Sequence, residues 1–161
     1  MPSRFYSQKD IDTFDKFNKE LVGDLNSGKD GIIYQPVVVY KVSVYETETN
    51  LYGEASGGKV YKNSIKLGCL IAAQDFDFEA TEFGPDANQD VTFAFIRQSL
   101  IDVNFVPDIG DIIAWNYAHF EISAINENQL VAGMQENNHS VVCTAFLTES
   151  TNTMLERNRS Y

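Results

Sequence analysis

Basic residues are scarce in this chain. Twelve Lys and Arg stand against 23 Asp and Glu, giving a net charge of −11. Such a surface repels phosphate, so sequence-independent binding to nucleic acid over the whole molecule is excluded. A wall that DNA passes without sticking is still allowed. Cysteine is almost as rare. Cys69 and Cys143 each sit in an apolar, strand-like run; two are too few for a disulfide framework and read as buried free thiols. No apolar run approaches the length that spans a membrane. Met1-Pro2-Ser3-Arg4 leads into polar sequence with no apolar signal region. The expectation is a soluble protein with no membrane contact, made or assembled inside a cell.

Chemistry-bearing patterns are missing as well. The two histidines, His119 and His139, have no Cys, His or acidic partner at a metal-ligand spacing. No Gly-x-Ser-x-Gly nucleophile motif occurs. The glycines of residues 49–62 invite a phosphate, but no Gly-Lys-Ser/Thr follows at P-loop spacing and the dinucleotide glycine pattern is absent. The reading is non-enzymatic, with neither cofactor nor metal.

What is present suits one core: 161 residues, 43% of them hydrophobic. The expected plan is an arm (1–6), a single mainly β, barrel- or sandwich-like domain with one N-terminal helix (7–147), and a polar tail (148–161). The helix is expected over residues 7–25. Ser7 is its N-cap, Asp10 and Asp12 lie near its positive end, and Ile11, Phe14, Phe17, Leu21 and Leu25 form one apolar stripe. Asn26-Ser27-Gly28 is expected to end it. That stripe either lies on the barrel or packs against a neighbouring subunit.

Strands are expected at 36–47, 64–73, 75–83, 91–96 and 141–147. Residues 49–62 form a long interaction loop, 84–90 a turn-rich connection, 97–103 a short helix or turn, 129–133 a brief apolar return and 135–139 a polar loop. In residues 75–83, Asp75, Asp77 and Glu79 share one face and Phe76 and Phe78 the other. An EF-hand calcium loop counted from Asp75 would need Gly sixth and Glu twelfth; Ala80 and Asp86 stand there. Carboxylates on the outer face of a half-buried strand are the simpler reading.

The chain is organised around residues 106–127. Pro107-Asp108-Ile109-Gly110-Asp111 is a turn in which Pro sets one φ, Gly permits a positive one, and the Asp side chains bond local amides. Ile112 to Trp115 is an apolar strand and Asn116-Tyr117-Ala118 a turn. Phe120 and Ile122 share one face of the return strand, with Ala124 after them. This is a small-barrel hairpin.

Three short motifs follow one another in order: Leu51-Tyr52-Gly53-Glu54, Asp90-Val91-Thr92-Phe93, and Gly110-Asp111-Ile112-Ile113 with Phe120-Glu121-Ile122. In this combination the chain, over residues 36–147, resembles the neck proteins of T-even-like contractile-tailed bacteriophages, the head-completion or stopper-type proteins between portal and tail. Family members carry a C-terminal extension that this sequence does not show, which leaves stopper, adaptor and tail terminator all open as the layer. The resemblance implies a virion protein assembled in the host cytoplasm. It implies a homohexameric β-barrel ring that seals the DNA-filled head, offers the tail its platform, and touches portal or adaptor and tail proteins. Double-stranded DNA would pass its lumen without specific binding. Asp75, Asp77, Glu79 and Glu82 are the candidates for an acidic lumen wall. Tyr52, Gly53, Glu54, Gly57, Gly58, Phe14, Phe17 and Leu21 are the candidates for subunit contacts. Gly110, Asp111, Trp115, Phe120 and Ile122 carry the barrel hairpin. A competing class is a small ligand-binding β-barrel module with Trp115, Tyr117 and Phe120 around a pocket.

Overall fold

The computed structural model describes residues 7–24, 29–33, 35–43, 47, 59–62, 64–75, 77–81, 84–130, 133 and 137–148. The chain opens with helix α1 (Gln8–Val22). Ser7 Oγ accepts the Asp10 amide at 3.3 Å, as an N-cap should. The helix stops sooner than its apolar periodicity suggests. Gly23 adopts φ +88°, and Leu25 lies outside the described residues. A left-handed residue ends a helix whatever follows it. Short strands β1 (Gly23–Asp24) and β2 (Lys29–Asp30) pair antiparallel just beyond. The turn after β2 then doubles back onto the helix end. A Cβ on Gly31 would overlap the backbone of Leu21, Val22 and Gly23, and the Ile33 amide donates to Leu21 O at 2.9 Å.

Strand β3 (Gln35–Tyr40) is shorter than the expected 36–47. Past Tyr40 the chain leaves the sheet, and residues 41–43 pair loosely with 59–62. Val42 bridges Tyr61, the Ser43 amide donates to Val60 O at 2.8 Å, and Lys62 donates to Lys41 O at 2.8 Å. The last four residues of the expected loop are therefore fastened to the barrel, while 48–58 lie outside the described residues. Next come β4 (Ile65–Ala73), β5 (Asp77–Thr81), β6 (Gly84–Asn88) and β7 (Asp90–Ile96). Residues 84–88, read as a turn-rich connection for their Gly, Pro, Asp and Asn, are a strand. They form a separate ribbon with β5, from Asp77↔Asn88 to Thr81↔Gly84. Pro85 is tolerated because each strand of a two-stranded ribbon has an outer edge where no amide is needed.

Helix α2 (Arg97–Asp102) leads to β8 (Ile112–Trp115), β9 (Ala118–Leu130) and β10 (Asn138–Thr148). Two expectations change here. Residues 129–130 continue β9 rather than forming a separate return, and His139 belongs to β10 rather than to a loop. Six strands close into an antiparallel barrel in the order β10-β7-β4-β3-β8-β9, with β9 pairing back to β10. The fold is mainly β, a closed barrel with an N-terminal helix, as the sequence suggests.

Inward residues alternate along each strand. Val37 and Val39, Leu67 and Cys69, Val91, Phe93 and Phe95, Phe120 and Ile122, and Val141, Cys143 and Ala145 fill the barrel. Phe93, Trp115 and Phe120 form its aromatic cluster, with ring centroids 5.9–6.4 Å apart. The expected parity of β9 fails after Ile122. Ala145 pairs with Ile122 but Thr144 with Ala124, so Ser123 is an extra, bulged residue. The bulge switches the faces: Ala124 is exposed and Ile125 packs on the core instead. Both cysteines are free and buried, and burial pushes each thiol up to about 12.

Candidate interaction surfaces

The Gly110–Asp111 corner is built around a buried carboxylate. Gly110, at φ +95°, lets the turn fold back so that its amide reaches Ile122 O at 2.9 Å. Asp111 is fully buried. Its Oδ2 accepts the Asp108 amide at 2.9 Å, the local bond expected of such a turn. Its Oδ1 accepts the Val42 amide, also at 2.9 Å, from a segment 69 residues away. Burial raises the Asp111 pKa, while these two amides and the charge of Lys41 pull it down. Lys41 Nζ donates to Val106 O at 2.7 Å, bridges Asp108 Oδ2 at 2.7 Å and lies 5.5 Å from the Phe105 ring centroid. Nearby, Lys59 pairs with Glu121. Burial raises the Tyr61 phenol to about 12, helped by the charges of Glu121 and Asp111. The motif read as hairpin chemistry is thus the clasp that stops β3 and holds residues 41–43 against the barrel end.

Among the described residues, two apolar surfaces stand out beyond the core. The first is on α1. Val22 is buried and Ile11 half-buried against the barrel, but Phe14, Phe17 and Leu21 are 42%, 61% and 41% exposed. Ile33, tied to Leu21 by its amide, and the adjacent Ile32 extend the patch. Contiguous exposure of this kind differs from the scattered apolar residues of any surface. The helix is anchored beside it by Lys19–Asp102 at 3.4 Å and by Phe14 edge-on to His139 at 5.4 Å. Under the helix lies a groove of about 330 Å³, lined by Gln8, Ile11, Arg97, Ile101 and His139 among others. Asn138 Oδ1 and His139 Nδ1, buried at this level, have no hydrogen-bond partner.

The second surface is the turn before β8. Val106 and Ile109 are 61% and 68% exposed, and with Pro107, Asp108, Ile125 and Glu127 they line an open concavity of about 600 Å³. Sequence reasoning missed this patch. Its signal was two large apolar residues flanking Pro-Asp in a turn, where polar residues are the rule.

The remaining candidates separate. Asp75 and Asp77 are exposed; Glu79 sits on β5, across from Asp86; Glu82 lies outside the described residues. Tyr52, Gly53, Glu54, Gly57 and Gly58 lie outside them as well. Trp115, Tyr117 and Phe120 do not surround a pocket. Phe120 is in the core, whereas Tyr117 is fully exposed at the tip of the β8–β9 turn. His119 is a strand residue, opposite Ala114 and Thr148, not a turn residue. Among the described residues no group of three His, Cys, Asp or Glu is placed to hold a metal ion, and no helix is long and apolar enough to cross a membrane.

No protein-family model matches the chain, and no curated protein matches it. Among solved structures, the chain is similar to one described as "Virion of native gene transfer agent (GTA) particle". The identity is 15% and the TM-score 0.48, over 71% of this chain and 94% of that one.

Proposed function

We propose that this chain is a structural protein of a virion, acting without catalysis as a ring-forming layer of the head–tail connector. The carrying observation is the exposed apolar face of α1, with Phe14, Phe17 and Leu21 outside a barrel whose core is already filled. A monomer gains nothing from that face, whereas a neighbouring subunit would bury it. The ordered neck-protein motifs add the direction: stopper first, adaptor or tail terminator as the neighbouring alternatives. Localisation would be the virion neck after assembly in the host cytoplasm.

In this reading the acids at Asp75, Asp77, Glu79 and Glu82 line the passage. Like charge keeps phosphates off the wall, so DNA is held by the closed ring and slides when released. Neutralising all four should slow ejection from assembled particles; unchanged packaging, retention and ejection would remove the lumen role.

The test of the whole reading is native mass spectrometry of the purified protein, alone and mixed with portal and tail proteins of its source. The expected result is a six-fold species or capture by a portal assembly. A monomer that ignores both partners would sink it.

A further inference from the structure

We infer that the Val106–Ile109 concavity takes an extended, basic segment of a partner protein, added as an antiparallel strand along the free side of β9. The inference stands apart from the ring reading and starts from the backbone. On β10 the Leu147 amide donates to Gln89 O, beside the start of β7. Odd-numbered residues of β10 therefore turn their amides to β7 and even-numbered ones to β9. Ala124 and Asn126 stand opposite Thr144 and Val142, so both bond β10. Ile125, between them, turns its N–H and C=O to the other side. There β8 has already ended. Its ladder with β9 stops at Ile112↔Glu121, and the last bonds join Gly110 and Asp111 to Ile122. Among the described residues nothing bonds the Ile125 backbone on that side.

The concavity lies against that open stretch. Ile125, Asn126 and Glu127 line one side of it, and Val106, Pro107, Asp108 and Ile109 the other. An unpaired piece of strand thus faces two exposed apolar side chains, Val106 and Ile109. Strand addition uses this pair of features: main-chain bonds hold the segment, and a pocket selects alternate side chains. The barrel is antiparallel throughout, and an added strand that follows it places its residues directly opposite those of β9. The partner residue across from Ile125 is then apolar. The residue two places before it lies across from Glu127, which is exposed and in none of the ion pairs among the described residues. A Lys or Arg belongs there. Asp108 and Glu127 against Lys41 leave the concavity one negative charge in excess, on a chain of net charge −11. That balance favours a basic partner over a further copy of an acidic chain.

The test is an NMR titration of the isotope-labelled full-length protein with the capped peptide Thr-Thr-Lys-Thr-Val-Thr-Thr. The expected result is saturable shifts at Val106, Ile109, Ile125 and Glu127, with slowed exchange of the Ile125 amide. Methylating the Val nitrogen removes one main-chain donor and leaves the charge alone; it should weaken binding about tenfold. The reordered peptide Thr-Thr-Val-Thr-Lys-Thr-Thr, equal in composition, should bind roughly fivefold more weakly, because its Lys no longer faces Glu127. Ile109→Ser, at an exposed position and with circular dichroism confirming the fold, should also cost roughly fivefold. Equal binding of all three peptides would mean charge attraction alone and overturn the proposal. Unchanged affinity in Ile109→Ser would place the peptide elsewhere and overturn it too. So would the absence of shifts at about 5 mM peptide. An Ile125 amide already protected in the free protein would show that the chain covers its own rim, and the partner would be discarded.

Discussion

The β8–β9 and β5–β6 hairpins pair the same way, strand against neighbouring strand in antiparallel register. They are otherwise opposites. The first is bonded on both outer edges, by β3 and β10, and sends Ile113, Phe120 and Ile122 into the core. The second is bonded only to itself and carries exposed Asp77 on β5. The first hairpin is structural because it is laddered on both sides and buries one face. The buried hairpin holds the barrel closed, while the ribbon stands outside the barrel's hydrogen-bonded ring.

Substitutions can pull the two apart. The largest effect is expected from Phe120→Ala, which empties the centre of the aromatic cluster and should cost about 3–5 kcal/mol in urea unfolding. Asp111→Ala comes next. It leaves the Val42 and Asp108 amides unpaired at a buried site, for a loss on the order of 2–4 kcal/mol. Asp111 also gives a pH signature. Its folded pKa is raised above 3.8, so the folded state binds this proton more tightly than the unfolded chain does. That contribution is complete below 3.8 and is lost as pH rises through the folded value. The stability difference between wild type and Asp111→Asn should therefore shift toward the wild type as pH falls from neutrality; the opposite slope would refute the assignment.

Smaller effects sharpen the comparison. Asn116 and Tyr117 both have positive φ, 49° and 63°, as a two-residue primed hairpin turn demands. Tyr117→Gly should relieve left-handed strain and, after glycine's extra freedom in the unfolded chain, gain roughly 0.5–1 kcal/mol. A loss instead would show that the Tyr117 ring stabilises the tip. On the acidic ribbon, Asp77→Asn should move unfolding by no more than about 0.5 kcal/mol. A larger change would mean the ribbon is tied into the barrel after all.

Much of this was legible in sequence where one face of an element is buried. Val37 and Val39, Phe93 and Phe95, and Cys143 and Ala145 alternate as strands must, and Ser7 marks a helix start that the capping bond confirms. What was not legible depends on distant partners or on single backbone conformations. The apolar stripe of α1 points toward Leu25, but Gly23 ends the helix first. Val42 looks like a continuing strand residue, yet its amide belongs to Asp111. The extra Ser123 on β9 swaps Ala124 for Ile125 without any local signal. The helix stripe left two readings open, on the barrel or against a neighbour, and the structure leaves its two phenylalanines and Leu21 41–61% exposed. Periodicity reports that a face is apolar, not what covers it.

Closure of the barrel has a consequence for how copies meet. Each of the six strands is paired with a neighbour on both sides over part of its length, so the barrel has no edge strand, although β9 runs on past its ladder with β8 paired to β10 alone. The small ribbons have free rims too, and on β6 one residue, Pro85, cannot donate at all. Runaway stacking by strand addition is thereby suppressed. Where the ladders are closed, copies can meet through the barrel wall only side chain to side chain, reversibly, without unzipping a sheet, and only over surfaces that fit.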